Sequence, residues 1–267
     1  MWRVLTKAAN ISLLLGLLCL CASAARGQGG PPLQTDDTGT PGNGNWEINM
    51  GITADRMPGS NTYETPLLDL NYGIGERTQL KLELPYDLVS NNGRPIQSGL
   101  GNSLLGMRWR FFEIKKSKFA ISTYPQLEFQ NPGSTSVKRG LVNSAPNFLL
   151  PMEVTKQVGP LELNGEVGYW FNSYTSNGHI LGFAVGNQTT KRLEMLSEVY
   201  QQVRVRGTER DSTFDFGARY ELHKGILLMV MAGRSFHGPS SGQSQFIGYG
   251  GLQFQIERKH PASDSEP

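Results

Sequence analysis

The side chains that most often carry out chemistry are few in this chain and poorly spaced for it. The four histidines, His179, His223, His237 and His260, form no H-E-x-x-H or other metal-ligating spacing, and no G-x-x-x-x-G-K-[ST] phosphate loop occurs. Cys19 and Cys21 are the two cysteines, and both fall within an N-terminal segment expected to be cleaved, so a zinc cluster is not expected. The acidic pair Asp36-Asp37 could hold a calcium ion, but beside Thr and Gly it reads first as a turn that caps backbone donors. A hydrolase using a lone Ser and His is the residual enzymatic reading. No enzyme, metal site or cofactor is expected, and any function must come from a surface or a cavity.

Residues 1–24 have charged Arg3 and Lys7, an apolar core from Ile11 to Cys21, and the small-residue exit Ala22-Ser23-Ala24. This is the pattern of a cleavable export signal; a membrane-anchoring helix would need about 20 apolar residues. Leu18 and Leu20 precede the two cysteines, which disfavours lipid attachment. Cleavage would take Arg3 and Lys7 from the 25 basic residues, leaving 23 against 23 acidic ones, and would remove both cysteines. A neutral mature chain with no Lys/Arg block excludes a nucleic-acid partner. Without disulfides, an exported protein must rely on a large core or a closed sheet. Glycine fills 32 of 267 positions, well above the usual ~7%, which favours turns over helices.

From Asn45 onward the hydrophobic period is two. Leu80, Leu82, Leu84 and Tyr86 alternate with Gln79, Lys81 and Glu83, and Leu105, Met107, Trp109 and Phe111 alternate with Arg108 and Arg110. The same rule predicts twelve strands, at 45–54, 62–73, 77–88, 101–113, 118–129, 146–157, 160–171, 178–186, 192–206, 211–222, 225–236 and 244–257. Short turns near 75, 115, 159, 190 and 224 alternate with connections that include two long Gly/Asn/Pro/Ser-rich loops, 87–99 and 130–145. The fold class is therefore all-β, a transmembrane antiparallel up-and-down β-barrel of the outer membrane with both termini periplasmic. Four segments are expected: 1–24 signal peptide, 25–44 periplasmic N-terminal segment or partial plug, 45–257 barrel, and 258–267 polar C-terminal tail. The run 225–234 is apolar on both parities, as if it packed against material inside the lumen.

A soluble sandwich or lipocalin-like carrier would alternate too, with its apolar parity inward. The aromatics favour the membrane. On the apolar parity, Trp46, Tyr72, Phe111, Phe119, Tyr220 and Phe254 fall at the short-turn ends, and Tyr86, Phe129, Phe148, Phe171, Phe214 and Phe246 at the long-loop ends. Two girdles at the lipid headgroups result. From Phe119 to Phe129 is about 33 Å of strand, which a tilt near 40° reduces to roughly 25 Å, the height of an apolar band.

The polar parity then lines the lumen: Glu47, Asp69, Lys81, Glu83, Arg108, Arg110, Glu128, Glu153, Glu162, Glu166, Glu194, Glu198, Arg204, Asp215, Arg219 and Arg234, with the aromatics Tyr124, Trp170, Tyr200 and Tyr249. Glu83 with Arg108/Arg110, and Glu198/Arg204 with Asp215/Arg219, sit on consecutive strands and are expected to pair. Replacing Lys81 by Gln is expected to change stability little. Mixed charge and aromatic surface suit a passive channel for small organic solutes, aromatic ones among them. They equally suit a closed structural or binding barrel with exposed loops.

The runs LQTDDTGTPGNGNWEINMG, LDLNYGIGERTQLKLELPY and GLGNSLLGMRWRFF, within residues 33–112, resemble the outer-membrane transporter-like family named for the meta-pathway of phenol degradation. The resemblance implies an exported barrel that takes up small organic compounds, with outer-membrane lipid, a small-molecule solute and the barrel-insertion machinery as partners. The chain departs from that pattern at Asn102, where the family commonly has Asp, and in its polar tail, which leaves Phe254 or Ile256 as the insertion-signal residue.

Overall fold

The computed structural model describes residues 30–205, 210–236 and 243–258. The expected signal peptide, residues 1–24, and the tail beyond 258 lie outside the described residues. Fourteen strand segments form one antiparallel sheet. In chain order they are β1 (Trp46–Met57), β2 (Ser60–Ile74), β3 (Thr78–Asn91), β4 (Gln97–Leu100), β5 (Ser103–Ile114), β6 (Phe119–Thr123), β7 (Gln126–Phe129), β8 (Asn147–Val158), β9 (Leu161–Asn172), β10 (Gly178–Gln188), β11 (Leu193–Arg204), β12 (Arg210–His223), β13 (Ile226–Ser235) and β14 (Phe246–Ile256). Each stave pairs with the next along the chain, and β1 pairs with β14 from Trp46↔Ile256 to Arg56↔Phe246, so the sheet closes. β4 with β5, and β6 with β7, each make one interrupted stave, giving a closed twelve-strand barrel.

The interruptions have local causes. Pro125 has no N–H to donate, and Met107 N–H instead reaches its carbonyl at 3.0 Å, so 118–129 divides into β6 and β7. Between β4 and β5, Gly101 N–H still donates to Pro85 O at 2.9 Å. In β2 the register shifts between Glu64 and Leu67, at Thr65-Pro66, and the inner parity changes there. The expected loop 87–99 is shorter than predicted. β3 runs on to Asn91 and pairs with β4 from Tyr86↔Leu100 to Val89↔Gln97, because ladder bonding continues past the apolar alternation that marks the membrane.

The direction of the parities is decided by exposure. Leu181, Phe183 and Phe216 on the outer face are 58%, 51% and 59% exposed, whereas Glu153 and Asp215 are at 0%. A soluble barrel would show the reverse. The aromatic girdle residues share the outer face, with Trp46 against Tyr72 at 4.8 Å between ring centroids and Phe148 against Phe171 at 6.1 Å. Every backbone amide of a lipid-facing strand must be paired within the protein, and closure leaves no edge. No described helix is long and apolar enough to cross a membrane; the strands are the spanning elements. Leu82, on the outer face opposite Leu105, is the test position. Leu82→Arg should lower the unfolding free energy by about 2–4 kcal/mol in lipid vesicles, measured by urea titration; an unchanged midpoint would contradict the outward assignment.

Candidate functional site

The interior is built by short polar side chains that the alternation throws inward. Asn49 and Asn71 each donate to Asp69 at 3.0 Å, Gln79 Nε2 donates to Asn71 Oδ1 at 2.6 Å and to the Tyr124 hydroxyl at 3.2 Å. The Arg108 guanidinium lies over the Tyr124 ring, 4.1 Å from its centroid. Gly106 leaves room for that ring, since a Cβ there would meet Tyr124 at 2.9 Å.

Residues 30–41 run through this interior toward the short-turn end. Arg219 donates to the carbonyls of Gly30 and Pro31 at 3.1 and 2.6 Å. Thr35 N–H donates to Glu198 Oε2 at 2.5 Å, Asp36 N–H to Glu166 at 3.1 Å and Thr38 N–H to Thr155 Oγ1 at 3.1 Å. Gln34 Nε2 reaches Asp215 at 3.1 Å. Arg108 holds Asp36 at 2.5 Å, Asp37 at 3.5 Å, the Gly39 carbonyl at 3.0 Å and Glu153 at 3.3 Å. Arg110 donates to the Thr38 carbonyl at 3.3 Å. Leu33 packs with Ala184, Leu196 and Met231, which accounts for β13 being apolar on both faces. Gly182 is required where Thr35 approaches, because a Cβ there would collide with the threonine hydroxyl.

Of the residues expected to line the lumen, Glu47, Asp69, Lys81, Glu83, Arg108, Arg110, Glu128, Glu153, Glu162, Glu166, Glu194, Glu198, Asp215 and Arg219 lie on the inner face. Arg204 shares their parity and is exposed at the long-loop rim. Arg234 does not line the lumen. It stands opposite Phe214 on the outer face, because the inner parity of β13 is that of Met229 and Met231.

Tyr124 is buried inside, and Trp170, Tyr200 and Tyr249 line the interior. The expected charge pairs are replaced by others. Arg108 stands opposite Gln79 while Glu83 stands opposite Leu104, too far along the strand to meet, and Glu83 pairs with Lys81 at 2.9 Å instead. Arg219 pairs with Glu194 at 3.4 Å, and Glu198 and Asp215 are bonded by residues 34 and 35. Lys81 also lies 3.6 Å from buried Asp69. Lys81→Gln therefore removes the cation of a three-charge group rather than an isolated one.

Residues 30–41 divide the lumen into two spaces. One, of about 540 Å³, opens at the short-turn end among Trp46, Glu47, Glu194 and Arg219. The other, of about 520 Å³, lies above Gly30–Gln34 toward the long loops and includes Asp55, Glu64, Leu104 and Leu149, none of which strand parity singled out. The β2 shift concealed Glu64, and the extension of β1 past 54 concealed Asp55. At the mouth, the loop 130–146 folds against the inner side of β4. Its Ser136 Oγ donates to the Leu100 carbonyl at 2.6 Å and Arg139 to the Ser98 carbonyl at 2.9 Å.

No known family profile matches the chain, and no curated protein sequence does. Solved structures do. An outer-membrane channel from Pseudomonas putida superposes with a TM-score of 0.63 at 12% identity, covering 84% of this chain and 100% of that one. The fold is that of outer-membrane porin-like channels. The KdgM porin gives 0.55 at 12% identity over 79% of this chain and 99% of its own. The NanC porin gives 0.56 at 7% identity over 79% and 100%. One G-x-S-x-G match, Gly238 to Gly242, falls between β13 and β14 in the sequence and lies outside the described residues.

Proposed function

We propose that the mature chain is an outer-membrane channel for the passive passage of small organic solutes, narrowed by its own N-terminal segment. The observation that carries this reading is the pair of cavities, about 520 and 540 Å³, that remain on either side of residues 30–41 inside a closed barrel. Eight strands give an interior that side chains fill and sixteen or more hold an aqueous channel, and twelve lie between the two. A KdgM porin structure holds disordered oligogalacturonate, so a barrel of this fold accommodates a small polar solute.

The finer reading is membership in the family named for the meta-pathway of phenol degradation. Its supports are the motifs in residues 33–112, where Asp36-Asp37 meets Arg108, and Trp170, Tyr200 and Tyr249, which offer an aromatic solute stacking surface. On this reading residues 1–24 direct export, 25–44 form the lumen segment, 45–257 the barrel and 258–267 a polar tail, inserted by the barrel-assembly machinery. Purified protein in planar bilayers should give stepwise conductance. A folded, heat-modifiable sample that never conducts would instead support a closed binding barrel, the reading favoured by the many bonds that hold residues 30–41 across the lumen.

A further inference from the structure

The cavity toward the long loops is chemically lopsided. Carboxylates of Asp55, Glu64 and Glu83 line it, and Asp36 and Glu166 approach its floor; Lys81 is the cation among its described lining residues. That lysine is not available to an anion, for Glu83 lies 2.9 Å from its Nζ and Asp69 3.6 Å. The half-buried Asp55 carboxylate accepts from Ser244, and its Oδ1 has no hydrogen-bond partner among the described residues. Glu64 accepts from the Thr53 hydroxyl at 2.7 Å. Beside the neutral polar groups of Gln34, Thr53, Thr62 and Gln126, the walls carry Leu104, Leu149, Ile180 and the rings of Trp170, Tyr200 and Tyr249.

We propose that this cavity is a binding site for a small amphipathic cation, a protonated amine carried on an aromatic or apolar body. Its volume of about 520 Å³ lies within the ~300–1,000 Å³ range of small-molecule sites. The ammonium replaces its hydration shell with the Asp55, Glu64 and Glu83 carboxylates, and the ring stacks on Trp170, Tyr200 or Tyr249, whose faces also attract cations. A carboxylate solute of the same skeleton meets the carboxylates of Asp55 and Glu64 beside the Lys81–Glu83 pair, which offers it no free cation, so exclusion of anions is part of the selectivity. The inference rests on the channel reading only for its physiological meaning; binding itself requires no flux.

Calorimetric titration of the purified mature barrel in detergent, with tyramine, tyrosol and 4-hydroxyphenylacetate as probes of one skeleton and three charges, tests it. Tyramine should bind about tenfold or more tightly than 4-hydroxyphenylacetate, with tyrosol between them. Glu64→Gln, checked for folding by heat-modifiability, should bring tyramine toward the tyrosol affinity. Because the three-probe comparison uses the unaltered chain, a variant that fails to fold leaves the test intact. Equal binding of amine and acid, no binding of tyramine, or tyramine affinity unchanged in folded Glu64→Gln would overturn the proposal. Conductance in bilayers together with equal binding of amine and acid would retire the site and leave the channel reading, whereas amine-selective binding without conductance would retain the site and retire the channel.

Discussion

Arg108→Ala will lower the stability of the folded barrel by about 3–5 kcal/mol, the usual result of removing one partner from a buried ion group. The guanidinium faces Glu153, which is fully buried, together with Asp36 and Asp37, and it covers the Tyr124 ring. Alanine leaves those carboxylates facing one another in a space that water enters poorly, and the Gly39 carbonyl loses its donor. Urea unfolding in lipid vesicles, followed by gel heat-modifiability, measures the loss. Arg108→Lys should fall between, since a lysine restores the charge and not the planar fork that meets three carboxylates and the Gly39 carbonyl at once. Adding Glu153→Gln to Arg108→Ala should recover part of the stability by removing one of the stranded charges. A loss below about 1 kcal/mol for Arg108→Ala, the range of exposed pairs, would mean that the group is open to solvent and not buried as described.

A chain lacking residues 30–41 will conduct more than the full mature chain, by on the order of tenfold, because the two cavities then merge into one continuous lumen between the β1–β14 seam and the opposite wall. The barrel should survive the deletion. Its strand pairing closes without those residues, and the described loss is the burial of Leu33 against Ala184, Leu196 and Met231, about 1.5–3 kcal/mol, together with the bonds to Arg219, Glu198 and Arg108. Single-channel recording in planar bilayers gives the readout. Unchanged conductance in a folded sample would move the narrowest point elsewhere, most directly to the loop 130–146, which folds inward against β4.

The two variants also separate two roles of the same contacts. Arg108→Ala removes an anchor of the segment and a structural cation together, whereas the deletion removes the segment and leaves Arg108 paired to Glu153 at 3.3 Å. Higher conductance in both is the result the geometry requires, since each removes the segment or an anchor of it from the lumen.

The barrel wall was legible in the residues because it depends on a local rule. A side chain on a strand points to the side opposite its neighbours, so Leu80 to Leu84 against Lys81 and Glu83 carries its own answer, and the aromatics at the strand ends mark where hydrocarbon stops. That rule failed where the backbone breaks its own period. The shift at Thr65-Pro66 turned Leu67 and Glu64 inward, and β13, apolar on both faces, misled the placement of Arg234.

Strand number, outward apolar face and aromatic belts therefore follow from the amino-acid sequence by itself, since each is set by neighbours two residues apart. The occupied lumen and the identity of the charge partners were decided only by tertiary structure. Gln34 meets Glu198 across 164 residues of chain, and Arg219 meets Gly30 across 189. No periodicity encodes such meetings: they arise because closing the sheet brings every inward side chain to one enclosed space, where the segment ahead of β1 supplies the hydrogen bonds that water would otherwise have to provide.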